Sequence, residues 1–81
     1  MEIKVFVRQD CPECVVAIHA YDDIADLSVY DLGDIEGLAA ASVHSVNSAP
    51  TVLVVDSGGR EVAAWRGEAP DPAAVRALLA N

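Results

Sequence analysis

The 81 residues predict one α/β domain with its elements in the order β-α-β-α-β-β-α. Three observations lead there. Stretches of β-formers alternate with stretches of helical periodicity across short joints, a continuous β-branched run lies past the middle of the chain, and a glycine turn follows that run directly. Alternation of this kind indicates crossover units, and the turn indicates a hairpin after them.

Each element has its own justification. Ile3-Lys4-Val5-Phe6-Val7 reads as a buried strand. Asp10 and Pro12 open a helix to about Tyr21, with Ala17, Tyr21 and Ile24 on one face. Leu27-Ser28-Val29-Tyr30 forms a second strand, ended by Asp31 to Gly33. Asp34 can cap a second helix running through roughly His44, with Ile35, Leu38 and Ala39 turned inward. Pro50 then precedes Thr51-Val52-Leu53-Val54-Val55, whose β-branched character suits a strand covered on both faces. Asp56-Ser57-Gly58-Gly59 makes a turn, and Arg60 to Arg66, carrying Trp65, pairs antiparallel with the strand before it. Gly67 ends the hairpin. Asp71 as N-cap and Pro72 as first helical residue start a closing helix that packs Ala74, Val75, Leu78 and Leu79 onto the sheet. No internal repeat, linker or low-complexity segment interrupts this order.

Composition bounds the rest. With 53% apolar side chains the chain can bury a small core, on the order of 60% of its unfolded surface, and a second domain does not fit. There is no apolar run of about 18 residues and no charged-then-apolar leader at Met1, so neither a membrane span nor a secretory signal is expected. A cytoplasmic monomer without cofactor or bound metal is the expectation. The net charge of −8, from 13 acids against 5 bases, argues against nucleic acid, which needs a basic patch. It suits basic protein partners, and it also serves solubility.

The chemistry concentrates in Cys11-Pro12-Glu13-Cys14, which holds both cysteines of the chain. Placed between the first strand and the first helix, Cys11 falls at a helix N-terminus. Unpaired N–H groups and the macrodipole there stabilise negative charge by about 0.3–2 kcal/mol, which favours a thiolate. A disulfide closing so short a loop contributes roughly 2 kcal/mol at most by chain entropy, so it is a poor staple. It is better suited to being made and broken, as in a thiol–disulfide oxidoreductase.

The element order, with Cys-x-x-Cys after the first strand, resembles the thioredoxin fold over essentially the whole chain, which implies a four-stranded mixed sheet with three helices. Length and the Cys-Pro-x-Cys form are similar to glutaredoxins, as is Arg8, three positions before Cys11, where that family carries Lys or Arg. The C-terminal half resembles thioredoxin instead, in Ala49-Pro50 before the Thr51–Val55 strand, in Gly59-Arg60-Glu61-Val62-Ala63-Ala64, and in Gly67. The resemblance implies a cis Pro50 facing the redox pair. Ala49 would then offer backbone groups to an extended substrate segment, with Arg8, Pro12, Glu13 and Gly67 completing the substrate surface. Glutathione-using relatives carry Gly-Gly-x-x-Asp just after the final hairpin. This chain has Arg66-Gly67-Glu68-Ala69-Pro70-Asp71 there, and Gly58-Gly59 falls too early. Protein disulfides as substrates and a dedicated dithiol reductase as electron donor are therefore expected, ahead of a glutathione-linked glutaredoxin.

In this scheme Cys11 attacks a substrate disulfide and Cys14, one turn on and more buried, resolves the mixed disulfide, since positions i and i+3 share one side of a helix. Glu13 stands where many glutaredoxins have an aromatic residue, which predicts a less acidic Cys11 and a more reducing couple. The rival is a non-catalytic module that binds metal or an iron–sulfur cluster through the pair. His19 and His44 would complete a Cys2His2 set, but their spacing matches no zinc finger. Tyr21 and Trp65 are expected to pack, and one of Val15 and Val16 to join Ala49 and Pro50 in an apolar docking rim.

Overall fold

In a computed structural model, the described residues are 1–80; Asn81, the last residue of the domain expected over 1–81, lies outside the described residues. Among them, four strands and three helices follow the expected order. β1 (Glu2–Val7) pairs parallel with β2 (Leu27–Asp31), Val5 opposite Val29, because α1 (Pro12–Tyr21) carries the chain back across one face of the sheet. β3 (Thr51–Val55) lies antiparallel on the other side of β1, and β4 (Glu61–Arg66) antiparallel beyond it, giving the spatial order β2-β1-β3-β4. Every residue of β3 is buried, as its valine-rich run requires of an inner strand.

The hairpin between β3 and β4 is held by Asp56. Its carboxylate accepts hydrogen bonds from the Gly58 and Arg60 amides, each at 2.9 Å, and Gly59 takes the left-handed φ of 83° that closes the turn. The Arg60 amide above all holds this carboxyl below the usual carboxylate range.

Strand alternation divides the core in two. Ile3, Val5, Val7, Val52 and Val54 pack with Cys14, Ala17 and Tyr21 of α1 and with Val75 of α3 (Pro72–Leu79). Phe6, Leu53 and Val55 pack on the opposite face with Ala41 of α2 (Ile35–Val43) and with Val46. Trp65, as expected, packs against the first cluster, and Tyr21 is fully buried in it. The Tyr21 hydroxyl donates to the Pro70 carbonyl, tying α1 to the approach of α3, and burial, helped by the Asp71 carboxylate, pushes its phenol up.

Helix α2 corrects the sequence reading. Ile35 is 87% exposed and Leu38 55%, and Ala39 is exposed with them, whereas Gly37 and Ala41 face the sheet. The cause is a close approach. A Cβ on Gly37 would overlap the Asp31 carbonyl oxygen, with the carbonyl carbon 2.5 Å and the amide nitrogen 3.0 Å away, so the helix turns its smallest residues to β2. Asp34 occupies the N-cap without a side-chain capping bond; its carbonyl accepts from the Leu38 amide at 2.9 Å. In α3, Asp71 does cap, accepting from the Ala73 amide at 2.8 Å. Val75, Leu78 and Leu79 face inward there, but Ala74, at the edge of the arc these positions cover, is exposed.

Candidate functional site

The chain leaves β1 at Val7 and reaches α1 through Arg8, Gln9 and Asp10, the last in the left-handed region at φ 56°. Cys11 itself is the N-cap, with φ −125° and ψ 92°, so Asp10 stands one residue outside the helix it was expected to open. The Cys11 Sγ accepts from the Cys14 amide at 3.2 Å, and the Cys11 carbonyl accepts from the Cys14 amide at 3.0 Å and the Val15 amide at 3.3 Å. A sulfur in this position takes one of the helix's otherwise unpaired N–H groups, as a serine or aspartate cap would. Pro12 fits the first helical position because it has no N–H to leave unpaired.

Cys14 is 2% exposed and belongs to the α1/α3 core cluster, while Cys11 is half-buried at its edge. The two are joined as a disulfide with their Cα atoms 5.2 Å apart. Helix geometry permits this without unwinding, as residues three apart lie about one turn from each other on the same side, within the Cα separation a disulfide spans.

The Ala49–Pro50 peptide bond is cis, and it delivers the chain into β3. Pro50 is buried and Ala49 half-buried against the same cluster as Cys11. Next to them is Thr51, a buried polar residue at 0% exposure. Its hydroxyl donates to the Ser48 carbonyl at 2.8 Å and accepts from the Gly67 amide at 3.3 Å. One side chain thus joins the loop before β3 to the loop after β4. Gly67 has φ 80°, and a Cβ there would lie 3.7 Å from the Ser48 hydroxyl, so backbone conformation rather than crowding selects glycine.

Pro12, Glu13 and Val16 of α1 face Glu68 and Ala69 of the loop after β4 across an open cavity of about 410 Å3. Here the rim differs from expectation. Val15 and Val16 are both exposed, Val16 at 67%, and Pro50 is too deeply buried to form a surface, so the apolar wall beside the redox pair is made by Pro12, Val16 and Ala69. A second, polar cavity near β4 is lined by His44, Ser45, Arg60, Glu61 and Arg66; Arg8 is exposed, lines neither cavity, and has no ion pair among the described residues.

The histidines do not join the cysteines. His19 is exposed on α1, whereas His44 lies on the α2 side of the sheet, its Nε2 3.3 Å from Lys4 Nζ and its Nδ1 3.9 Å from Glu61. Among the described residues, no group of three or more His, Cys, Asp and Glu side chains is placed to hold a metal ion. No helix among them is long and apolar enough to cross a membrane.

Three residues of this site were missed from sequence: Thr51, Glu68 and Ala69. Thr51 was visible as the single polar residue in a run of apolar ones. Glu68 and Ala69 follow Gly67 directly, and their position across from α1 depends on the α/β packing rather than on any local pattern.

No protein-family model and no curated protein matches the chain. Solved structures do. Thioredoxin 1 from the thermophilic eubacterium Thermosipho africanus superposes with a TM-score of 0.79 at 21% identity, covering 99% of this chain and 92% of its own. A thioredoxin from Thermus thermophilus gives 0.62 at 22% identity, over 96% of this chain and 70% of its own. A thioredoxin from Malassezia sympodialis gives 0.65 at 18% identity, again over 96% and 70%. Topology, the position of the Cys11–Cys14 pair and these superpositions agree: the described chain is a small thioredoxin-fold domain with a Cys-x-x-Cys pair at the start of its first helix.

Proposed function

We propose that this protein is a thiol–disulfide oxidoreductase that reduces protein disulfides through Cys11 and Cys14. The observation that supports this most directly is the Cys11 Sγ at the N-cap, accepting the Cys14 amide while bonded to a sulfur one turn deeper. In the reduced form the same amide and the helix dipole favour a Cys11 thiolate. That thiolate attacks one sulfur of the substrate disulfide, and the other substrate sulfur leaves as a thiolate that takes up a proton. Cys14 then gives up its proton and attacks the Cys11 sulfur, releasing the second substrate thiol. Two electrons pass to the substrate with one proton from Cys14 and one from solvent, and the Cys11–Cys14 disulfide remains.

Ala49, freed from strand pairing by the proline after it, supplies backbone groups to the substrate segment, with Pro12, Glu13, Arg8 and Gly67 around it. Regeneration falls to a dedicated dithiol reductase rather than to glutathione, because Glu68 and Ala69 occupy the place of a glutathione cradle and the acids beside the pair oppose an anionic tripeptide. A monomer in a reducing compartment such as the cytoplasm suits this role. Trapping with Cys14→Ser is the test. The variant should accumulate a mixed disulfide through Cys11 with a protein partner, and the wild-type dithiol should reduce insulin at the expense of dithiothreitol. Stoichiometric zinc or iron in the purified protein, with no insulin reduction, would refute the proposal.

A further inference from the structure

The cavity beside the redox pair has carbon walls and an acidic rim, and this combination discriminates among substrates. Pro12, Val16 and Ala69 supply the apolar surface, while Glu13 and Glu68 bring carboxylates from two different elements, the first turn of α1 and the loop after β4. Both glutamates are exposed, and neither carboxylate accepts a hydrogen bond or joins an ion pair among the described residues. The cations that could neutralise them are engaged or placed elsewhere. Lys4 lies beside Glu2, Arg66 pairs with Glu61 and Arg76 with Asp23, Arg60 lines the polar cavity near β4, and Arg8, though exposed and unpaired, is not among the residues that line the cavity. Negative potential at the mouth is therefore left uncompensated by its lining residues.

We propose that this cavity is a specificity site for a partner segment carrying an apolar residue and a basic residue next to its disulfide cysteine. The proposal rests on the oxidoreductase reading above. Pro12 and Glu13 directly follow Cys11, so a partner cysteine bonded to Cys11 brings the residues one or two positions away, at about 3.3 Å each in an extended segment, into reach of the cavity. Its volume of about 410 Å3 lies in the range of side-chain and small-ligand pockets, about 300–1,000 Å3. The apolar residue covers Pro12, Val16 and Ala69, and the basic group meets Glu13 and Glu68. An acidic residue in the same place is repelled by both.

Each exposed charge pair changes affinity by a factor of about 1.5–5, so exchanging Lys for Glu in the partner should change the rate about tenfold at low salt. The test uses the full chain, reduced with dithiothreitol and freed of it, against disulfide-linked dimers of short peptides that share a leucine beside the cysteine and carry Lys or Glu at the next position. Released peptide thiol gives the second-order rate constant. The Lys peptide should react about tenfold faster at low ionic strength, and the ratio should shrink towards one in 0.5 M salt, on the order of a 4 Å screening length. Glu13→Gln with Glu68→Gln should bring the ratio near one, and Glu68→Gln alone should bring it part of the way. Equal rates for the two peptides, or a preference that persists in the double variant, overturn the specificity site and leave the oxidoreductase reading intact. Failure to reduce either peptide overturns both.

Discussion

Replacing Thr51 by valine sets two general expectations against one specific geometry. Valine has nearly the same shape, favours strands, and trades a buried hydroxyl for a methyl, so both strand preference and apolar burial predict a neutral or stabilised protein. The hydroxyl, however, receives the Gly67 amide at 3.3 Å and donates to the Ser48 carbonyl at 2.8 Å, in a residue with no exposed surface. Valine leaves both backbone groups without that partner. An unsatisfied buried group costs about 1–3 kcal/mol, and since both bonds are only partly buried a total loss of about 1–3 kcal/mol is expected. Thr51→Ser retains the hydroxyl and loses about 1 kcal/mol through its missing methyl. Urea unfolding of the oxidised protein, followed by the fluorescence of its one tryptophan, Trp65, measures both. Insulin reduction by the same variants adds a functional reading, because the two loops joined by Thr51 flank the redox pair: serine should keep more of the rate than valine. A valine variant as stable as the wild type, or a serine variant as impaired in turnover as valine, would refute the reasoning.

Other changes have equally definite outcomes. Gly37→Ala should destabilise by about 2–3 kcal/mol in the same unfolding assay, opposite in sign to the gain of up to about 1 kcal/mol expected from helix propensity, because α2 must retreat from the Asp31 backbone. Tyr21→Phe should cost about 1 kcal/mol at pH 7 through the lost bond to the Pro70 carbonyl. The wild-type phenol is held above its ordinary value of 10.0, so this group gives full stability below pH 10 and the folded state loses ground as the unfolded chain deprotonates first; melting from pH 8 to 10.5 should therefore fall less in the phenylalanine variant. Glu13→Tyr should lower the Cys11 pKa by a few tenths, since a like charge at roughly 8 Å in water is worth about half a kcal/mol. Thiolate absorbance titration of the reduced protein reads this, and an unchanged or higher value speaks against it.

What sequence made visible here was whatever depends on near neighbours. The helix at Pro12, the Asp71 cap and the inner strand at Thr51–Val55 are each written in a few adjacent residues, and so is the placement of Cys11 at the helix start. The inward face of α2 was not. Ile35 and Leu38 are the larger apolar residues, and pattern alone turns them to the core, yet the spacing between α2 and β2 is set by backbone contact at Gly37. Periodicity registers which positions share a face; it does not register how close that face comes to its neighbour. The acidic rim was hidden for a related reason, as Glu13 and Glu68 are 55 positions apart and meet only through the packing of α1 against the far end of β4.

The division of the sheet into two apolar clusters separates upkeep from chemistry. Both cysteines and the cavity lie with α1 and α3, whereas α2, Phe6, Leu53 and Val55 lie behind β1 and β3, whose backbones form a shared wall. Residues of α2 and of the Phe6, Leu53 and Val55 cluster can be exchanged, or a tag grafted near Ile35, and the sulfur pair in front will register the change only as altered melting; Thr51 is the exception, because its hydroxyl holds the two loops beside that pair. Electron transfer and durability are thus open to separate engineering in a chain of 81 residues.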